Sequence, residues 1–204
     1  MSVGDDRGGA LAEKGLAFDE ASHSPRRISV IGATGSGKTV LAGRLSQCWG
    51  LPLYELDRVF WDAQKRGAEA VDFIHAVSAL TQRDAWVLDG HYRAVRESIW
   101  RRSEMIVWLN YPLWLVASRL VRRFVQKRHA IGDRQRAGQP SGSEPREQSA
   151  TWRVRVGRLA RTIRERNEYG RLLKAPEYRD KLVELRSPRA AEDLIMSRRS
   201  TLAQ

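Results

Sequence analysis

"RISVIGATGSGKTVLAG", residues 27–43, decides how this chain is read. Residues 28–31 are apolar and mostly β-branched, and read as a short buried strand. Residues 38–49 read as a helix, with Val40, Leu41 and Leu45 at helical spacing. Between them, Gly32, Gly37, Lys38 and Thr39 satisfy G-x-x-x-x-G-K-[ST], a pattern that a chain of this length meets by accident roughly 1% of the time or less. Glycines let the backbone wrap a phosphate chain closely and point successive N–H groups inward. The helix start adds its partial positive charge. Gly32, Ala33, Thr34, Gly35, Ser36, Gly37, Lys38 and Thr39 are therefore expected to cradle the phosphates of ATP or GTP. Lys38 reaches the β- and γ-phosphates, and the Thr39 hydroxyl coordinates Mg²⁺. A tight strand-to-helix turn alone explains Gly32 and Gly35 but leaves Lys38 without a role.

Working outward, further strands read at 52–56, 85–90 ("AWVLDG"), 105–110 ("MIVWLN") and 181–187 ("KLVELRS"). Helices read around the stripe Val71, Ile74, Val77 and Leu80, over 113–129 with Leu113, Val116, Leu120 and Phe124 inward, along Trp152, Val156, Leu159 and Ile163, and over 189–198. Residues 130–150 read as a loop rich in Gly, Pro, Ser and charge. Strands alternating with helices imply an α/β fold: a parallel sheet of about five strands with helices on both faces. Such a sheet binds ligands at the carboxyl ends of its strands. The polar candidates fall there: the glycine loop, Asp57, Asp89 and Asn110.

Those acids limit the chemistry. A guanine-specific GTPase needs an N-K-x-D stretch, and "NYPL" at 110–113 has neither the lysine nor the acid. Asp89 ends an apolar strand, where a carboxylate holds Mg²⁺ through water; the other reading is a turn residue before Gly90. Asp57 is placed to take a proton from an acceptor hydroxyl, or only to hold that hydroxyl; an N-cap or a salt bridge with Arg58 is the structural alternative. Glu55, two residues earlier on the same strand face, is a second candidate. Trp61, Trp86, Trp100, Trp108, Trp114 and Trp152 read mainly as core residues.

The 204 residues suffice for one domain, and 42% hydrophobic with 29% charged content is that of a soluble globular protein. No apolar run approaches the roughly 20 residues that span a bilayer, and residues 1–25 have no signal-peptide shape and read as a disordered tail. A lone cysteine, Cys48, cannot form an intramolecular disulfide, and a cytoplasmic location is expected. The folded domain is expected over 26–198, with a short tail at 199–204. The net charge of +12 is concentrated: residues 119–171 hold 15 Arg or Lys against five Asp or Glu, or +10. That concentration points to phosphate, as nucleotide or as nucleic acid. A solvated face of arginine-rich helices is the plain alternative.

"ISVIGATGSGKTVLAGRLSQCWGLPLYELD", "WVLDGHYR", "MIVWLNYPLWLVASRLVRR" and "LVELRSPRAAEDL" together resemble the adenylate-kinase-related P-loop proteins of bacteria, often labelled DNA topology modulation proteins or AAA-type ATPases. The resemblance covers roughly residues 26–196. It implies a P-loop NTPase fold of the nucleoside-monophosphate-kinase type, three layers deep, with a basic helical lid at about 119–166. By this likeness Asp89 is the acid of a D-G-x-x-R stretch and Arg93 binds the acceptor. Arg119 and Arg123, at the base of the lid, face the transferring phosphoryl group. His91 stands where the family commonly has Asn, and Asn110 where it has Asp, so AMP specificity does not carry over.

Two functions follow. One is an ATP- and Mg²⁺-dependent kinase for a small acceptor: a nucleotide, a nucleoside or another hydroxyl metabolite. Its catalytic groups are Lys38, Asp57, Arg119 and Arg123, and Asp57, Asp89 and Arg93 face the acceptor. The other is a nucleic-acid-binding ATPase that grips the phosphate backbone through 119–171. A polynucleotide-end kinase joins the two.

Overall fold

Three of the apolar runs form the interior of one sheet. In the computed structural model, which describes residues 24–65, 70–119, 121–122 and 163–201, these are β1 (Arg27–Gly32), β3 (Trp86–Asp89) and β4 (Met105–Leu109). β2 (Leu53–Glu55) and β5 (Leu182–Leu185) form the edges, in the order β2-β3-β1-β4-β5. All four pairings are parallel. Burial follows position: every residue of β3 and β4 is buried, whereas β5 alternates and β2 is half-buried throughout. Interior strands of a parallel sheet are covered on both faces, so their sequences are mostly apolar, with Ser29 and the terminal Asp89 as the buried polar exceptions.

Helices supply the two covers. α1 (Lys38–Trp49) and α8 (Pro188–Thr201) pack Leu41, Leu45, Leu194 and Ile195 on Ile28, Val30 and Val107. On the other face lie α3 (Ala70–Thr81), α4 (Arg96–Arg102) and α6 (helical over 163–172), with α7 (Pro176–Arg179) beside α4. Their Phe73, Val77, Trp100, Tyr169 and Leu173 cover Leu88, Ile106 and Trp108. α2 (Leu56–Lys65) leans on α3, and α5 (helical over 113–119) follows β4. Successive strand residues point to opposite covers, which gives three layers. The Lys181 ammonium donates to the carbonyl oxygens of Trp100, Arg101 and Ser103 at 3.1–3.2 Å, and so closes the carboxyl end of α4.

The structure departs from the sequence reading in four places. The second strand stops at Glu55, and α2, an uninterrupted amphipathic run with Asp57 in its first turn and Lys65 in its last, begins at once. Glu55 and Asp57 therefore do not share a strand face. The core face of α3 is Phe73, Val77 and Leu80, at steps of four and three; Val71 and Ile74 lie on its flank, 54% and 40% exposed. Val40 likewise turns outward on α1. Trp61 and Trp114 are exposed, unlike Trp86, Trp100 and Trp108. Among the described residues no helix is long and apolar enough to cross a membrane. Residues 1–23 of the tail expected at 1–25, Arg123 and most of the expected lid lie outside the described residues.

Candidate functional site

β1 lies between β3 and β4, so the chain leaves it toward opposite sides of the sheet, and a crevice opens at its carboxyl end. Gly32 pairs with Leu109 across that end. A Cβ at Gly32 would stand 3.0 Å from the Leu109 carbonyl oxygen and from Ser36 Oγ, so the position admits only glycine. The chain then turns, with the Ser36 N–H on the Ala33 carbonyl at 3.1 Å. Gly37, at φ 98° and ψ 22°, starts α1 in a left-handed conformation. No side chain caps α1 and no acid occupies its first turn. The first amides of the helix have no intrahelical partner and suit an anion.

Lys38 folds back over this loop and donates to the Ala33 carbonyl oxygen at 3.0 Å. Burial lowers its pKa, while Asp89, Glu165 and Asp57 pull it back up. Thr39 hydrogen-bonds Asp89. Burial pushes the Asp89 carboxyl up, the Thr39 bond and Lys38 oppose that, and Asp89 Oδ1 is buried with no hydrogen-bond partner. Ser36 Oγ is likewise buried without a partner. Strand, glycine loop and helix thus follow one another as the G-x-x-x-x-G-K-[ST] pattern requires.

The P-loop has a second guanidinium-bearing flank. Arg119 of α5 donates through Nη1 to the Ser36 carbonyl oxygen at 2.7 Å, and its guanidinium lies 5.1 Å from the centre of the Tyr111 ring. A cavity of about 590 Å³ opens beside it at the ends of β4 and β5, lined by Asn110, Pro112, Leu113, Trp114, Arg166 and Arg186. Asn110 Nδ2 donates to Glu184 Oε1 at 2.5 Å, and Asn110 Oδ1 is buried without a partner.

On the other side of the P-loop, Asp57 accepts a hydrogen bond from the Tyr92 hydroxyl at 2.8 Å. Tyr92 stacks on Phe60 at 5.3 Å and tilts against Phe73 at 4.9 Å. Burial and the Asp57 carboxylate both raise the Tyr92 pKa, so the phenol remains a donor. Next in sequence, Arg93 donates to Glu168 Oε2 at 2.6 Å, and Arg96 takes Oε1 at 2.7 Å. These two arginines hold the Glu168 carboxyl down at about 2. His91 packs edge-on against Tyr169, and burial lowers its pKa to about 4.

The structure thus brings Gly32–Thr39, Asp89, Asp57 and Arg119 to one crevice, places Arg93 against α6, and leaves Arg123 outside the described residues. Sequence reasoning missed Tyr92, Tyr111, Arg96 and Glu168. Tyr92 stood inside the quoted "WVLDGHYR", where its chain neighbours were a sufficient pointer. Glu168 lies 75 residues from Arg93, and no local pattern joins them.

Hard oxygen donors suit Mg²⁺. Thr39 and the spare Asp89 oxygen supply them here. Among the described residues no cluster of three or more His, Cys, Asp or Glu could hold a metal, so nucleotide oxygens and water must complete any shell.

No protein-family model matches the chain, and no curated protein sequence does. Solved structures resemble it. A gluconokinase from Sinorhizobium meliloti 1021 is 17% identical over 88% of this chain and 96% of that one, at a TM-score of 0.47. A shikimate kinase from Bacteroides thetaiotaomicron is 15% identical over 89% and 100%, at 0.48. One from Acinetobacter baumannii, in complex with shikimate, is 21% identical over 87% and 93%, at 0.45. At such levels neither substrate nor mechanism passes from those enzymes to this chain.

Proposed function

We propose that the protein transfers the γ-phosphoryl group of ATP to the hydroxyl of a small acceptor. The observation that carries this reading is the placement of Asp57. It stands at the start of α2, within electrostatic reach of both Lys38 and Asp89, on the open side of the P-loop. A protein that only hydrolyses nucleotide has no need of a carboxylate offered there to a second substrate. The sequence likeness to adenylate-kinase-related proteins supports the same reading.

The roles follow from the geometry. The uncapped start of α1 and the loop amides bind the β- and γ-phosphates. Lys38 exchanges the Ala33 carbonyl for phosphate oxygens, whose negative charge offsets the burial that disfavours its ammonium form. Thr39 and Asp89 would hold Mg²⁺, which would supply charge neutralisation to the phosphates. The acceptor O–H proton passes to Asp57 as its oxygen bonds to the γ-phosphorus. The bond from that phosphorus to the β–γ bridging oxygen breaks, and ADP leaves with the electron pair. Lys38 and Arg119 face the charge that develops. The nucleotide base extends toward the cavity beside Arg119 and Arg186.

Calorimetry with Mg²⁺ and ATP tests the first half: Lys38→Ala should weaken binding some thirtyfold, for a charge-assisted contact of about 2 kcal/mol. Acceptor-stimulated ADP release, abolished by Asp57→Asn with ATP affinity intact, tests the second. ATP binding that is indifferent to Lys38 would end the proposal.

A further inference from the structure

Deepening that reading, and resting on it, we infer that the acceptor is an uncharged hydroxyl compound with a flat or apolar face, the class of free nucleosides, and not a monophosphate or a carboxylic acid. Glu168 enforces the choice by occupying the two guanidinia that would bind an anion.

An anionic acceptor needs a free cation near Asp57. Among the described residues, Arg93 in the turn after β3 and Arg96 at the start of α4 follow Tyr92, which bonds Asp57, while the exposed Arg58 lines a different recess with Tyr54, Glu55 and Asp62. Arg93 and Arg96 are each bound to a different oxygen of one carboxylate, Glu168 on α6. Arg96 and Glu168 are only 19% and 20% exposed, so their contact is largely withdrawn from water and poorly screened, whereas Arg93 is 75% exposed and its pairing is the weaker of the two. A phosphate or carboxylate arriving from solution must displace a carboxylate tethered to the same chain, which competes at a far higher effective concentration. It must then leave Glu168, which is only partly exposed, without its partners. α6 is not free to withdraw, because Tyr169 and Leu173 anchor it in the core.

The rest of the wall adds no positive charge. Asp57 is an acid and repels an anion. The two guanidinia and the carboxylates of Glu168 and Asp57 sum to zero.

What the wall does offer is aromatic surface beside a hydrogen-bonding group. Phe60 and Tyr92, backed by the buried Phe73, form one contiguous cluster, and Trp61, 58% exposed, sits edge-on to Phe60 at 5.8 Å. A planar ring gains from such a surface. Asp57 spends one lone pair on the Tyr92 hydroxyl and has others for an acceptor O–H. A base joined to a sugar hydroxyl presents both features without charge. The transfer is as written above: the sugar oxygen gains the γ-phosphorus of ATP, its proton goes to Asp57, and ADP departs.

ADP release from Mg-ATP by the full chain tests this. The panel is adenosine, guanosine, cytidine, uridine and thymidine, their 5′-monophosphates, gluconate and shikimate. At least one nucleoside should raise the rate tenfold or more, and no anion should. Glu168→Gln, shown folded by circular dichroism, should raise kcat/KM for the matching monophosphate at least tenfold while leaving the nucleoside within threefold; a folded variant without that gain overturns the role of Glu168. The wild-type panel decides the acceptor class even should the variant not fold. A monophosphate or acid that stimulates as strongly as any nucleoside overturns the inference and leaves phosphoryl transfer standing. Stimulation by nothing in the panel overturns both, and the heat of ATP binding then reports whether the triphosphate site survives.

Discussion

Arg119 Nη1 donates to the carbonyl oxygen of Ser36 at 2.7 Å, tying the helix after β4 to the middle of the P-loop. A second contact, over the Tyr111 ring at 5.1 Å, fixes the plane of the same guanidinium. An arginine held this way is oriented before any substrate arrives, and preorganised charge costs no rearrangement during the reaction.

Arg119→Ala should therefore slow phosphoryl transfer by roughly a hundredfold to a thousandfold in single-turnover experiments. Arg119→Lys should recover less than a tenth of the loss, because an ammonium cannot keep both the Ser36 bond and the ring contact. An alanine variant slowed less than threefold would remove Arg119 from the chemistry.

Asp89 carries a carboxyl that burial disfavours in its charged form. Asp89→Asn should thus hold or raise the melting temperature, by about 2–4 °C for each kcal/mol in a chain of this size. The same change should erase at least tenfold of the gain in ATP affinity that Mg²⁺ confers, read by calorimetry with and without the ion. A destabilised variant with intact Mg²⁺ dependence would contradict the assignment.

His91 makes stability depend on pH in a defined window. Its folded pKa is about 4 against an ordinary 6.5, so between those values the unfolded chain binds the proton more readily. Stability falls as pH drops from 6.5 toward 4 and levels off below. The ceiling is about 3 kcal/mol, and partial exposure brings it nearer 1–2 kcal/mol. Glu168 acts in a lower window, losing its contribution as pH falls from its ordinary 4.5 to about 2. Urea melts across pH should show the upper step vanish in His91→Gln and the lower one in Glu168→Gln.

Gly32→Ala places a methyl group 3.0 Å from backbone oxygen and side-chain atoms of a rigid sheet. A loss of about 2 kcal/mol or more is expected in denaturant unfolding, with ATP affinity falling as the loop shifts. An alanine variant as stable as the parent would mean that β1 and β4 can part at this point.

The sheet was legible because interior parallel strands are mainly apolar, and residues 28–31, 86–89 and 105–109 are so except for Ser29 and Asp89. The P-loop was legible because its chemistry needs fixed residue types at fixed spacing. α2 was hidden: "LYELDRVFW" alternates like a strand as far as Leu56, and only the packing of Phe60 on Phe73 and Tyr92 shows where the period changes. The stripe on α3 was misphased because Val71 and Val77 are chemically alike, while only contact with the sheet distinguishes flank from core. Glu168, Tyr111 and Arg96 gain meaning solely from partners distant in sequence. Spacing rules do not reach them.

The first helix begins with nothing to finish it. Its leading amides wait for an anion, and neither a serine, a threonine nor an acid of its own stands in. Under the proposed function, nucleotide is a structural component as much as a reactant: at a hundred times its dissociation constant it would add about 2.7 kcal/mol to the folded state. A cell short of ATP would hold this protein in a softer form, open first at the very helix on which phosphate sits.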